Sequence, residues 1–401
     1  MTTTTTVTPL RQTIHELVRL RDPMGVLSIY ADAGLERGRR HRPRAGDIAL
    51  RKGLEEIRAG LEREGWHARV QALEARLGEL GPALDDLVDP SRPGRGRALI
   101  VPLSGGPAHE VTADRSLGEG VVLATSAHAA PLLRALLDEE SAGVVSVTRE
   151  GVRALEIRHG RAEEVLRLDF AIPSDDWRPM VGPAAANPAF ARSSESQRDL
   201  FARRMEEHRG RRLAEIGERL WAEAHRRGWR RLATAGEPKH LEALAATRPA
   251  DGPELVALGR HLPETLTPAQ IGDAASDALD RARVASDRAL AERIRDAALT
   301  PSGRAVVGLD DTLTVLEEGR ASRLLVDVDR RPAGEAAPDG RLVTAGEVPP
   351  TGGPAQLAAE PHLLERMIER AADTGAVLVP LEGPAAEPLA SHDGVAAELR
   401  W

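Results

Sequence analysis

The densest group of chemically capable side chains in this sequence is the stretch Ala191 to Arg231. It opens with Arg192, Arg198, Arg203 and Arg204 and holds twelve arginines against seven acids. That surplus sits in a chain whose formal net charge is −8, so the stretch is a basic stripe suited to an anionic contact. A guanidinium stays charged and its planar fork matches two phosphate oxygens at once. The same spacing also permits i,i+4 pairs with the interleaved glutamates on a solvated helix face, and composition leaves both readings open. A second basic group, Arg37, Arg39, Arg40, Arg42 and Arg44, falls in a turn-like run with glycine and proline. A turn offers no helical face along which its arginines can pair, so they too are candidates for a phosphate backbone.

Other chemistries find little support. The absence of cysteine excludes disulfides, thiolate zinc sites, iron–sulfur clusters and cysteine nucleophiles. There is no Gly-x-Ser-x-Gly elbow, no Walker phosphate loop and no glycine-rich dinucleotide fingerprint. The twelve histidines are scattered, and His208, His225, His240, His261 and His362 show no metal-ligand spacing, so neither a metal nor a cofactor is expected. Trp66, Trp177, Trp221, Trp229 and Trp401 are too dispersed for a base-stacking platform and read as packing residues. Lysine occurs only at Lys52 and Lys239, a usage that GC-rich coding explains, so arginine content by itself does not argue for RNA. An acidic pI of about 5.9 speaks against indiscriminate coating of nucleic acid. The N-terminus, MTTTTTVTPLRQ, has neither a basic nor an apolar leader region, and no apolar run approaches bilayer length. A soluble, cytoplasmic protein without a membrane partner is the expectation.

Positioning these residues requires an ordered frame, and hydrophobic spacing outlines one. Leu10, Ile14, Leu17 and Val18 predict a first helix, Gly25 to Ala33 a strand, and two amphipathic helices follow over about 47–64 and 66–88. Strands at Arg97 to Leu103, HEVTA and GVVLATS precede a helix at PLLRALLDEE. Three successive strands span Gly143 to Phe170, with Arg149-Glu150-Gly151 and His159-Gly160 as turns. A proline-rich loop follows, then the arginine-rich helix, capped by Ser193, Ser194 or Ser196 and carrying the apolar row Leu213, Ile216, Leu220, Ala224. WRRLATA and ELVALGR read as strands around a helix at PKHLEALA. Thr267-Pro268 starts a long helix to about Ala298, threonine capping and proline at the first helical position. The remainder holds VVGLDDTLTVLEEGR, the strand RLLVDVD, a flexible RPAGEAAPDGR segment, the helix HLLERMIERAADTG, the strand AVLVPL and the terminal GVAAELRW. The fold class this predicts is α/β: three consecutive α/β domains with mixed sheets, at 1–140, 141–265 and 266–401, the last a three-layer α/β sandwich.

In that last domain Ala305 to Asp329, the helix Leu363 to Gly375 and the tail Gly394 to Trp401 form a pattern. A glycine (Gly308) leads a helix, the helix ends in Glu317-Glu318-Gly319 before a short apolar strand, and the chain closes on Gly-aliphatic-Ala-Ala-x-Leu-Arg-aromatic. This resembles the C-terminal domain of the archaeo-eukaryotic class-one translation release factor superfamily, which includes Pelota-type ribosome rescue factors. The resemblance extends back through the strands Gly143 to Phe170, similar to the opening of that family's middle domain, and to a first domain like that of the superfamily's bacterial members.

The resemblance implies a three-domain, ribosome-associated factor that hydrolyses the peptidyl-tRNA ester by positioning water. The family's middle domain presents a Gly-Gly-Gln loop to the peptidyl-transferase centre, where catalysis is water placement plus oxyanion stabilisation. In this chain the equivalent loop carries Ser193-Ser194-Glu195-Ser196-Gln197 and no adjacent glycine pair. Gln197 is therefore the residue the resemblance nominates to place water. Arg192, Arg198, Arg203, Arg204 and the Arg37 to Arg44 group would grip rRNA and tRNA phosphates, and the C-terminal domain would take a protein partner. The alternative is a non-catalytic ribosome-binding or stress-response adaptor on the same scaffold. The oligomeric state has no signature in the sequence.

Overall fold

Successive residues of a strand face opposite sides of its sheet, and in central strands such as Arg21–Asp32, Gly96–Pro102 and Ala142–Val147 both sides are buried. The structure, a computed structural model, describes residues 10–32, 45–89, 91–92, 94–137, 140–148, 150–158, 161–170, 212–300, 303–344 and 357–401. Contacts divide the chain into two compact units, one made of residues 1–139 with 284–401 and the other of 140–283.

In the first unit α1 (Leu10–Leu17) leads into β1 (Arg21–Asp32), then α2 (Ala45–Arg63), α3 (His67–Glu79), α4 (Gly81–Val88), β2 (Gly96–Pro102), β3 (His109–Ala113), β4 (Gly120–Ser126) and α5 (Ala130–Leu136). The four strands form one antiparallel sheet in the order β3-β2-β1-β4. Leu27 and Ile29 enter a core with α2, α3 and α4, while Val26 and Tyr30 enter the core on the other face with α1 and α5. One helix expected over 66–88 is two, because Pro82 lies within the first turn of α4. Proline has no N–H to give and its ring crowds the preceding carbonyl, so the helix restarts there.

The same unit contains the C-terminal segment, where β10 (Ala305–Val307), β11 (Ala321–Asp327), β15 (Val377–Leu381) and β16 (Val395–Leu399) form a mixed sheet in the order β10-β16-β11-β15. Leu324 and Ala397 pack toward α9 (Leu309–Glu317) and α10 (Leu363–Thr374), while their chain neighbours Leu325 and Ala396 pack toward Ala291 and Ile294 of α8 (Pro268–Ala298). Helices thus cover both faces, and this segment is the three-layer sandwich that the sequence predicts. RPAGEAAPDGR, expected to be flexible, contains β12 (Gly334–Ala336), which pairs with β13 (Leu342–Thr344) and β14 (Ala358–Glu360) in a small antiparallel sheet. Its strands are three residues each, below the length at which alternation shows in a sequence.

The second unit is built on β5 (Ala142–Val147), β6 (Gly151–Arg158), β7 (Arg161–Asp169), β8 (Arg231–Ala235) and β9 (Glu254–Ala257). Their order is β7-β6-β5-β8-β9; β5, β6 and β7 run as an antiparallel meander, and β5, β8 and β9 pair in parallel. Val145 and Leu232 face one core, shared with the helix of residues 212–227 (α6), and Val144 and Ala233 face another, shared with Ile271, Ala275 and Leu279 of α8. α7 (Pro238–Ala245) completes the first of these layers through Leu244.

Candidate functional site

Phe170 and Leu213, the described residues nearest the proline-rich segment and the start of the arginine-rich stretch, belong to one core. Phe170, directly after β7, is 6 % exposed and its N–H donates to Glu150 O at 2.7 Å. Leu213, at the start of α6, is 0 % exposed, and both residues belong to the cluster that contains Trp221 and Trp229. The apolar row expected from the sequence, Leu213, Ile216, Leu220 and Ala224, is buried in full. Gln197, Arg192, Arg198, Arg203 and Arg204 lie between these two roots and outside the described residues, as do Arg37, Arg39, Arg40, Arg42 and Arg44.

Arg212, Arg226, Arg227 and Arg231 in the described part of the basic stripe are paired. Arg212 meets Glu215 at 2.7 Å, Arg226 meets Glu223 at 2.5 Å, and Arg227 bridges Glu223 and Glu156, each at 2.5 Å. Arg231, 7 % exposed, reaches Glu140 at 3.0 Å and Glu254 at 3.3 Å across the ends of the parallel strands. Hydrogen bonds from Arg226 and then Arg227 hold the Glu223 carboxyl below its ordinary range, against the opposing effect of burial. Arg212, Arg226 and Arg227 thus make the helix-face ion pairs that the sequence allowed, while Arg231 pairs across the strands.

At the other edge of the same sheet, Arg153 joins the meander to the segment before α8. Its Nε donates to Glu164 at 2.8 Å and its Nη1 to Glu264 O at 2.9 Å. The hydrogen bond from Arg167 is the largest influence on Glu164 and lowers its carboxyl, with Arg153 adding to it. Glu150 and Glu264 share the exposed corner beside Thr148. Their mutual hydrogen bond is the largest influence on both, raising Glu150 and lowering Glu264. This corner abuts the root of the loop at Phe170.

Elsewhere, in the first unit, the fold brings together three side chains that the sequence did not connect: His128, His362 and Glu365. His362 and Glu365 are three residues apart at the start of α10, a spacing that puts both on one helical face; His128 comes from the turn before α5. The i,i+3 relation was visible in the sequence, whereas its partner in the first segment was not.

Residues 128–283 match a family model described as bacterial archaeo-eukaryotic release factor family 10. Over this segment the chain is release-factor-like, and the match encloses the whole second unit with its β5–β6–β7 meander and both roots of the loop. Among solved structures, the chain is similar to an archaeal translation termination factor, aRF1, at 16 % identity over 98 % of this chain and 97 % of that one, with a TM-score of 0.23. It is similar to Pelota of Archaeoglobus fulgidus at 13 % identity, covering 76 % and 79 %, with a TM-score of 0.34. Dom34 of S. cerevisiae aligns at 8 % identity, covering 74 % and 75 %, with a TM-score of 0.37. No curated protein matches the chain.

Proposed function

We propose that this protein is a ribosome-associated factor of the release and rescue type, whose second unit presents residues 171–211 toward the peptidyl-tRNA ester. The observation that carries the reading is the family match at 128–283, which encloses that loop and its two anchors. In the proposed reaction the Gln197 side-chain amide holds a water against the ester carbonyl, accepting from the water and donating to the developing oxyanion. Positioning of this kind requires no covalent intermediate. Arg192, Arg198, Arg203 and Arg204, with Arg37, Arg39, Arg40, Arg42 and Arg44, supply the phosphate contacts to rRNA and tRNA, and the C-terminal sandwich offers a face to a protein partner. The domain division at 1–140, 141–265 and 266–401 would let the loop-bearing part be delivered by the other two. A cytoplasmic location follows from this work on ribosomes, and no helix among the described residues is long and apolar enough to cross a membrane.

One observation favours a second reading on the same scaffold. The loop holds no adjacent glycine pair, and without such glycines close approach of its backbone to rRNA is more restricted. A non-catalytic ribosome-binding or stress-response adaptor would have no need of that approach. Stalled ribosomal complexes carrying labelled peptidyl-tRNA separate the two. The catalytic reading expects release by the wild type and a loss of about a hundredfold in Gln197→Ala, comparable to removing one transition-state hydrogen bond. Binding without release supports the adaptor, and equal rates for wild type and Gln197→Ala remove Gln197 from the mechanism.

A further inference from the structure

Glu365 is 5 % exposed, in the first turn of α10. Burying a carboxylate is costly unless a cation or several donors meet it. Glu369, one turn further on and 4 % exposed, has such partners in Arg21 at 3.0 Å and Arg366 at 2.9 Å. No guanidinium pairs with Glu365 among the described residues. What meets it is an imidazole: His128 Nδ1 lies 2.5 Å from Glu365 Oε1. Yet neither atom finds a hydrogen-bond partner, although both are fully enclosed. The two atoms are close without the alignment of a donor and an acceptor, so neither lone pair is committed to the other. A nitrogen of His362 completes the set, the three ligand atoms lying within 4.8 Å of one another.

We propose that His128, His362 and Glu365 bind one divalent transition-metal cation of the zinc class. Two neutral imidazoles and one carboxylate are a donor set that such ions take, at about 2.0–2.2 Å from each ligand atom, with a fourth position left for water. The surroundings hold the ligands in place. The His128 backbone N–H donates to Ser28 Oγ at 3.0 Å, and the Tyr30 hydroxyl donates to the His128 backbone carbonyl. The rings of Tyr30 and His362 each stand edge-on to His128, at 6.1 and 5.3 Å between centroids. The His362 backbone N–H donates to Glu360 Oε1 at 3.1 Å, and Glu360 is itself held by Arg366 at 3.2 Å. These bonds fix the backbone positions from which the two histidines enter the site. Within the first unit the ion would clip the turn before α5 to the start of α10, joining its N-terminal and C-terminal segments at the largest apolar cluster. This proposal does not depend on the release-type reading.

The test is equilibrium dialysis of the full-length protein, stripped by chelator, against Zn2+, with metal measured by elemental analysis. The expected result is one ion per chain, with affinity at least a hundredfold weaker in His362→Asn, which keeps a residue suited to start a helix. Co2+ loading of the wild type adds a readout that needs no variant: the intense visible d–d bands of a four-coordinate site with nitrogen ligands. Failure to bind one ion tightly, Co2+ spectra of an octahedral aquo ion, or equal affinity in wild type and His362→Asn would each overturn the site.

Discussion

Asp22 shows how a single buried charge can be read in both its geometry and its pH behaviour. It is 3 % exposed at the start of β1, where its carboxylate accepts from Ser104 N at 2.6 Å, Ser104 Oγ at 2.5 Å and Met24 N at 2.9 Å. Burial pushes its acid strength one way, and the bonds from Ser104 and Met24 outweigh it, so the carboxyl titrates below its ordinary value of 3.8. A depressed carboxyl stabilises the fold above its unfolded-state value, and that contribution fades as pH falls through the lower folded-state value. Asp22→Asn should therefore lower stability by about 1–3 kcal/mol at neutral pH, measured by urea unfolding. The deficit should shrink below pH 3.8; a deficit independent of pH would mean that packing, and not charge, holds this corner.

Helix ends are where the sequence was most legible. Thr267 and Gln270 form the reciprocal cap that the Thr-Pro start implies: Thr267 N donates to Gln270 Oε1 at 2.9 Å and Gln270 N to Thr267 Oγ1 at 3.3 Å. Thr267→Ala should cost about 1 kcal/mol in thermal or chemical unfolding. Gly319 ends α9 at φ 68, as its place after two glutamates suggested, and nothing nearer than 3.5 Å would meet an added Cβ there. Gly319→Ala therefore isolates the backbone term, about 1–2 kcal/mol, and Gly319→Asn should recover part of it. Strand boundaries were harder to see. β1 begins at Arg21, four residues before the apolar run Gly25 to Ala33 suggested, because Arg21 and Asp22 take their partners from distant segments, Glu369 and Ser104. The division of 66–88 at Leu80 was also missed, although Gly81-Pro82 announced it.

Over the whole molecule, local period carries secondary structure, while sites depend on which segments meet. The release-factor resemblance located the loop between Phe170 and Gln197, and the described residues Phe170 and Leu213, on either side of the segment 171–211, belong to one core. The His128, His362 and Glu365 group escaped notice because His362 and Glu365 are local to each other and His128 is remote. Charge sorted itself the same way: arginines 212, 226, 227 and 231 found acids, so those before residue 205 carry the proposed phosphate contact. Replacing Arg192, Arg198, Arg203 and Arg204 together by alanine should weaken ribosome association and flatten its salt dependence. Replacing the paired Arg226 and Arg227 should leave both nearly unchanged, as sedimentation at several ionic strengths would show.

Co-sedimentation of the full-length protein with purified ribosomes across a salt series tests the central claim most directly. A release- or rescue-type factor held through phosphates should pellet with ribosomes at low salt and dissociate progressively as counterions compete. Protein that stays in the supernatant at the lowest salt would contradict both the catalytic and the adaptor readings.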